Sequence, residues 1–469
     1  MSKENKKSKK KWIFLLLLSI AATAMLILAI LKQTDVGTNI SLGGIIRAET
    51  FYLILLLMII IPILLAIIFL SLLFSKKEKQ VVEINVAGKI AQSTSEGKKS
   101  ENKPEAPEVL GERFCMLSAI DKKSDTIGHE SYDKGVTLET FCDTFRNYAA
   151  NKLRLYYDIE DIRRFIAGMS VSHIVILPGM SGTGKTSLAH AFGSFIDNPS
   201  TVIPVQPMWK ERTDLIGYYN EFTKRFNETL LLEKMYEANY SKDMYVTVLD
   251  EMNIARVEYY FAEFLSLLEL PNPDERYLDV VSDKWATDPI QFKDGRIKLP
   301  VNMWFVGTAN NDDSTFAISD KVYDRAMILN LDNKSERFIA PPTGKLKISA
   351  DQFSALVSSA IAEFDVSARN KKRLEQLDKY LIEHFHITFG NRIMKQIRTY
   401  IPVYVACGGD ELDALDDILS KKVIRKLETQ NPIYLRNSAE ALIAFLDDLF
   451  GHDKMSLCKE HIKRLERNA

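Results

Sequence analysis

Gly179-Met180-Ser181-Gly182-Thr183-Gly184-Lys185-Thr186 decides how the rest of this chain is read. The residues before it, His173 to Leu177, are short, apolar and β-branched, the composition of a buried parallel strand. The residues after it, Ser187 to Phe195, have the composition of a helix. Strand, glycine loop and helix together make G-x-x-x-x-G-K-[ST] a phosphate-binding loop. Gly182 and Gly184 let the backbone curl so that successive N–H groups point at phosphate oxygens, and the helix N-terminus adds positive potential. The reading makes Gly179 through Ser187 the phosphate cradle. Lys185 reaches the β- and γ-phosphates, and the Thr186 hydroxyl takes one Mg²⁺ position.

Working outward, Thr201 to Val205 reads as a second strand, and Met244 to Leu249 as a third that ends in Asp250 and Glu251. A carboxylate pair closing an apolar strand downstream of a phosphate loop is a Walker B pattern. Asp250 holds the Mg²⁺ shell and Glu251 polarises the attacking water. Asn302 to Asn310 is a further apolar strand with a polar end. Asn310 there reads as a sensor orienting that water, or as an ordinary turn residue with Asn311 and Asp312. Arg325, at the start of the last short strand Ala326 to Leu331, reads as a cation acting on a neighbouring subunit's γ-phosphate, or as a surface ion pair. Phe141 to Met169 carries helical spacing leading into the first strand, and Ser349 with Gln352 forms a capping box opening a helical tail.

The first eighty residues differ in kind. Residues 13–31 and 51–74 exclude charge, and each is long enough to cross a bilayer as a helix. Pro62 in the second is tolerable in a membrane helix. Lysines crowd the outer flanks (Lys3, Lys6, Lys7, Lys9, Lys10, Lys11; then Lys76, Lys77, Lys79), while the connecting loop is nearly neutral. The positive-inside rule places both ends in the cytoplasm with a short loop outside, and the expected membrane is a bacterial inner or cell membrane. A cleaved signal peptide is the competing reading of the first stretch. Residues 81–112 read as a flexible polar linker. Four scattered cysteines without a C-x-x-C pair argue against zinc and a disulfide framework. A net charge of −1 gives no global case for nucleic acid.

In this order, phosphate loop, Walker B strand, Asn strand, arginine and helical tail resemble the AAA+ ATPases. The narrower likeness is to the dynein-related branch of midasin, MoxR and McrB-type proteins. Asp250-Glu251-Met252-Asn253-Ile254-Ala255 is similar to that branch's D-E-x-N-x-A extension, continuing into a helix over 257–270. Val205–Trp209 and Thr213–Tyr219 are similar to the insertion ahead of or within the second helix, and Tyr277–Val281 with Ile290–Leu299 to the hairpin before the sensor strand. Phe389-Gly390-Asn391-Arg392 looks like the head of a lid helix whose arginine reaches the γ-phosphate; a helix-surface ion pair is its alternative.

The resemblance implies an α/β core with a parallel sheet in the order 5-1-4-3-2, spanning 113–343 with its leading helices. A helical lid over 344–469 and a membrane anchor over 1–80 complete the expectation. It further implies Mg²⁺-dependent ATP hydrolysis by a hexameric ring acting on an unidentified protein partner. GTP is open as an alternative nucleotide because McrB-type relatives use it. A DNA-restriction motor and a non-processive nucleotide switch are open as alternative roles.

Overall fold

The computed structural model describes residues 111–180, 182–310, 315–331 and 335–468. The two expected membrane stretches and the linker up to residue 110 lie outside the described residues. Among the described residues, no helix is long and apolar enough to cross a membrane. Glu108–Ala469 forms one compact unit.

Its strands are β1 (Ile174–Gly179), β2 (Thr201–Pro204), β3 (Gly217–Asn220), β4 (Arg225–Glu228), β5 (Tyr245–Asp250), β6 (Tyr277–Asp279), β7 (Arg296–Lys298), β8 (Met303–Asn310) and β9 (Met327–Ile328). Five of them build one sheet in the order β2-β5-β8-β1-β9, and every pairing in it is parallel. Numbering those five in chain order gives 2-3-4-1-5, the expected order read from its other edge. Side chains alternate between two cores: Ile174 and Ile176 pack on one face of β1, Val175 and Leu177 on the other. The central strands are therefore apolar throughout, as sheets covered on both faces require. One core holds the sheet to Leu138–Leu153, Ile159–Val171 and the C-terminal helices; the other holds it to Leu230–Ala238 and Ala262–Glu269.

Two helical expectations and one strand change. The spacing over 141–169 predicts one helix, but Leu138–Leu153 and Ile159–Val171 are separate. Arg154 takes a left-handed backbone (φ 60°), and Asp158 sits extended at the second helix's start. The break turns Tyr157 inward, where it is 6% exposed. Likewise 257–270 divides into Val257–Tyr260 and Ala262–Glu269 at Phe261 (φ −106°, ψ 6°). The last strand narrows to Met327–Ile328, because only Val175 and Ile176 of β1 are in register with it.

The first insertion passes through a short helix, Arg212–Ile216, into a hairpin, and the second is itself a hairpin. β3 pairs antiparallel with β4, Gly217 opposite Glu228. β6 pairs with β7, Tyr277 opposite Lys298. After the sheet the described chain is helical: Ala350–Glu363, Ala368–Phe385, Gly390–Ala406, Glu411–Lys422, Pro432–Phe450 and Ser456–Asn468. The capping box at Ser349 and Gln352 opens the first of these.

Candidate functional site

β1 ends in the glycine loop, and the following helix begins at Lys185, two residues earlier than its composition suggests. Gly182 (φ 83°) and Gly184 (φ 92°) hold left-handed conformations that cost a residue with a Cβ. The Thr183 hydroxyl donates to the Met180 carbonyl at 3.1 Å, closing the curl. Inside it lies Lys185, only 6% exposed, its ammonium donating to the carbonyls of Gly179 (2.8 Å) and Met180 (2.6 Å). Ser181 lies outside the described residues; Ser187 is half-buried in the helix's first turn. The Tyr157 hydroxyl donates to the Gly184 carbonyl at 3.4 Å, and burial pushes that phenol's pKa up, keeping it a donor.

Parallel register brings the carboxylates to this loop. The Asp250 Oδ1 atom accepts from two hydroxyls, Thr186 at 2.8 Å and Thr308 at 2.9 Å. Thr308 Oγ1 in turn accepts from the Glu251 N–H at 2.9 Å. Glu251 itself is left-handed (φ 52°, ψ 47°), an uncommon conformation for a non-glycine residue and one found at functional sites. Its carboxylate accepts from the Asn310 side-chain amide at 3.4 Å. Gly307 makes room for Met252: a Cβ there would stand 2.0 Å from the Met252 sulfur. Asn253, 4% exposed, fastens the arrangement by donating to the carbonyls of Asn310 (2.8 Å) and Phe316 (3.2 Å) and accepting from the Asn310 N–H (3.2 Å). The Thr186 hydroxyl and Asp250 carboxylate are hard oxygen donors already in contact, which fits the few protein ligands that Mg²⁺ takes beside phosphate and water.

A polar cleft of about 470 Å³ lies at the C-terminal ends of β1, β8 and β9, reached by Gly179 at the start of the loop. Gly179 and Asn310 line one side; Lys421, Arg425 and Arg464 of the helical region line the other. A second cavity of about 410 Å³ adjoins it, sharing Asn330, Ser420 and Lys421 and reaching Asp158 and Arg164.

Arg325 and Arg392 meet elsewhere. Glu269, at the end of Ala262–Glu269, pairs with Arg325 at 2.7 Å through one carboxylate oxygen and with Arg392 at 2.5 Å through the other. Arg325 also donates to the Lys321 carbonyl at 2.9 Å, and its Nε is buried with no hydrogen-bond partner among the described residues. Arg392 also lies 4.0 Å from Asp324 and does not line the cleft at the glycine loop. The expected lid arginine thus stands beside Arg325, while Arg425 and Arg464 are the helical region's arginines in the cleft.

Sequence reasoning missed Thr308, Asn253, Tyr157 and Glu269. Thr308 had a signal: it lies two residues before Asn310 on one strand, so both project to the same face. Asn253 stood inside the quoted D-E-x-N-x-A run. Glu269 had none, since its partners come from two distant elements.

Among known proteins, residues 345–469 match a family model described as a domain of unknown function (DUF8727). No curated protein matches the chain. The structure of a full-length MCM homolog from Methanopyrus kandleri aligns over 63% of this chain and 63% of its own length, at 12% identity and a TM-score of 0.37. The alignment spans less than two thirds of that protein and is too weak to carry an argument. Residues 174–326 match the model described as AAA domain (dynein-related subfamily). That match falls on the five-stranded parallel sheet and its glycine loop, so residues 174–326 carry an AAA domain similar to the dynein-related subfamily.

Proposed function

We propose that this chain hydrolyses ATP with Mg²⁺ as a hexameric ring of its own copies, and uses turnover to remodel or regulate a partner protein at the cytoplasmic face of a membrane. The carrying observation is the single Asp250 oxygen bonded by both Thr186 and Thr308, with Glu251 and Asn310 directly beside it. Gly179 through Ser187 cradle the phosphates, and Lys185 leaves its loop carbonyls for the β- and γ-oxygens. Bound Mg²⁺ would neutralise charge on those oxygens, held by Thr186 and Asp250. Glu251 accepts a proton from the attacking water, and Asn310 orients it. Arg325, released from Glu269, stabilises charge on the neighbouring copy's γ-phosphate.

In this reading the domains are those expected: an anchor over 1–80, a linker over 81–112, the nucleotide domain over 113–343 and the helical lid over 344–469. Membrane attachment rests on the charge-free stretches 13–31 and 51–74 with their lysine flanks. For nucleotide choice, the polar cleft supports a triphosphate without selecting the base.

The test is Glu251→Gln in the full chain, purified in mild detergent. Nucleotide binding should persist while phosphate release from ATP falls by about a hundredfold or more. Hydrolysis at the unmutated rate would refute the assignment, and offering GTP in the same assay decides between the nucleotides.

A further inference from the structure

The helical region reaches across to the turn that carries Arg325, and it does so with buried polar groups. Lys422, closing Glu411–Lys422, is 4% exposed. Its side-chain nitrogen donates to the Tyr323 carbonyl at 2.6 Å and to the Ala326 carbonyl, which bracket Arg325. The Gln396 side-chain amide donates to the Asp324 carbonyl at 3.1 Å. Arg425 pairs with Asp320 at 2.7 Å and lies 4.2 Å over the Tyr323 ring. Three carbonyls of one short turn, those of Tyr323, Asp324 and Ala326, thus accept from the helical region. A buried amine costs far more desolvation than a methionine of similar length would. What its N–H groups add is direction: they hold two specific carbonyls, which no apolar side chain does.

The turn also faces the other way. Tyr323 and Arg425 line the cleft together with Gly179 and Asn310. One side of the turn therefore borders this chain's own phosphate loop, and the other ends in Arg325 at Glu269.

We propose that Lys422 is a positioning residue for Arg325, pinning the turn so that the guanidinium is presented to a neighbouring copy's triphosphate. This rests on Arg325 acting in trans, as proposed above. Lys422 touches no substrate. Its removal leaves nucleotide affinity intact and lowers turnover through Arg325 alone.

The experiment compares four full-length proteins in detergent: wild type, Lys422→Met, Arg325→Ala and the double variant. Each is assayed for steady-state phosphate release, for affinity toward a fluorescent ATP analogue, and for thermal melting. Methionine keeps the length of the buried stem. The expected result is turnover lowered roughly ten- to a hundredfold by Lys422→Met with unchanged affinity, as for a displaced catalytic group. In the Arg325→Ala background the same change should cost less than about twofold, because the two residues act as one unit. An equal loss in both backgrounds would mean a merely structural lysine and overturn the proposal. A large loss in Arg325→Ala with none in Lys422→Met would overturn it while leaving the trans role standing. No loss in Arg325→Ala would remove that role and this proposal with it. If Lys422→Met does not fold, Gln396→Leu, which frees the Asp324 carbonyl, takes its place with the same pattern expected.

Discussion

Thr308→Val removes one hydroxyl and keeps the shape of the side chain, so it isolates what that oxygen does. The Thr308 Oγ1 donates to Asp250 and accepts from the Glu251 N–H, each at 2.9 Å, and the residue is 3% exposed. Its loss strands the Glu251 N–H and leaves Asp250 Oδ1 with Thr186 as its remaining hydroxyl donor. Unmaking a bond to a charged group costs about 1.5–3 kcal/mol, and an orphaned N–H about 1–3 kcal/mol. The left-handed backbone at Glu251 (φ 52°) stores about 1 kcal/mol more, which it sheds by relaxing once untethered. Relaxation swings the carboxylate away from the Asn310 amide, now 3.4 Å distant. If about 2–3 kcal/mol of this falls on the transition state, turnover drops about 30- to 150-fold. The assay is phosphate release at saturating ATP and Mg²⁺, beside nucleotide affinity measured separately. Thr308→Ser keeps the oxygen and should stay within about threefold of wild type. Turnover in Thr308→Val within about twofold of Thr308→Ser would refute the reasoning, since the hydroxyl would then position neither carboxylate.

Arg113 is 1% exposed, binds the 5%-exposed Asp288 carboxylate at 2.7 Å and lies 4.4 Å from the Trp285 ring. Arg113→Met should therefore cost about 3 kcal/mol by leaving a buried carboxylate unpaired, read as a lower urea midpoint with an unchanged slope; an unshifted midpoint contradicts it. Gly217 (φ 95°) has no room for a Cβ, which would stand 1.8 Å from the Asn227 carbonyl oxygen. Gly217→Ala should open the β3–β4 hairpin and speed tryptic cleavage at Lys224 and Arg225, and equal protection in the variant counts against this. Burial lowers the Lys422 pKa from its ordinary 10.5 to about 7, with Asp324 opposing and Arg425, Arg392 and Lys426 adding to the shift. Between these values the unfolded chain keeps a proton that the folded chain has lost, so this residue makes stability rise with pH. Unfolding free energies from pH 7 to 9 should rise more steeply in wild type than in Lys422→Met; parallel slopes would show that Lys422 keeps its charge.

The chemistry of this chain is written in contiguous runs, and contiguous runs are what a sequence shows best. A glycine loop needs its glycines and lysine at set spacing because a single turn of backbone makes the cradle. An apolar strand closing in Asp250 and Glu251 needs only its own residues to place two carboxylates at a sheet edge. The parallel strands and the capping box at Ser349 were likewise local, each carried by period and composition. Element ends were not: Arg154 and Phe261 interrupt helices whose apolar spacing runs on unbroken, because spacing reports which face is buried and not where the backbone turns.

What only the tertiary structure decided are the pairings between elements far apart in the chain. Parallel register places Gly179 opposite Asn310, and with it Thr308 among the carboxylates of another strand. Glu269 gathers Arg325 and Arg392 from a strand edge and a distant helix, and Lys422 reaches back to Tyr323 and Ala326. A lone Thr, Glu or Lys carries no local pattern that names its partner. The sequence by itself determined a nucleotide loop, its acidic pair and a parallel α/β core; the fold alone decided which side chains hold them in place, because those contacts exist only once the sheet and the helical region have packed.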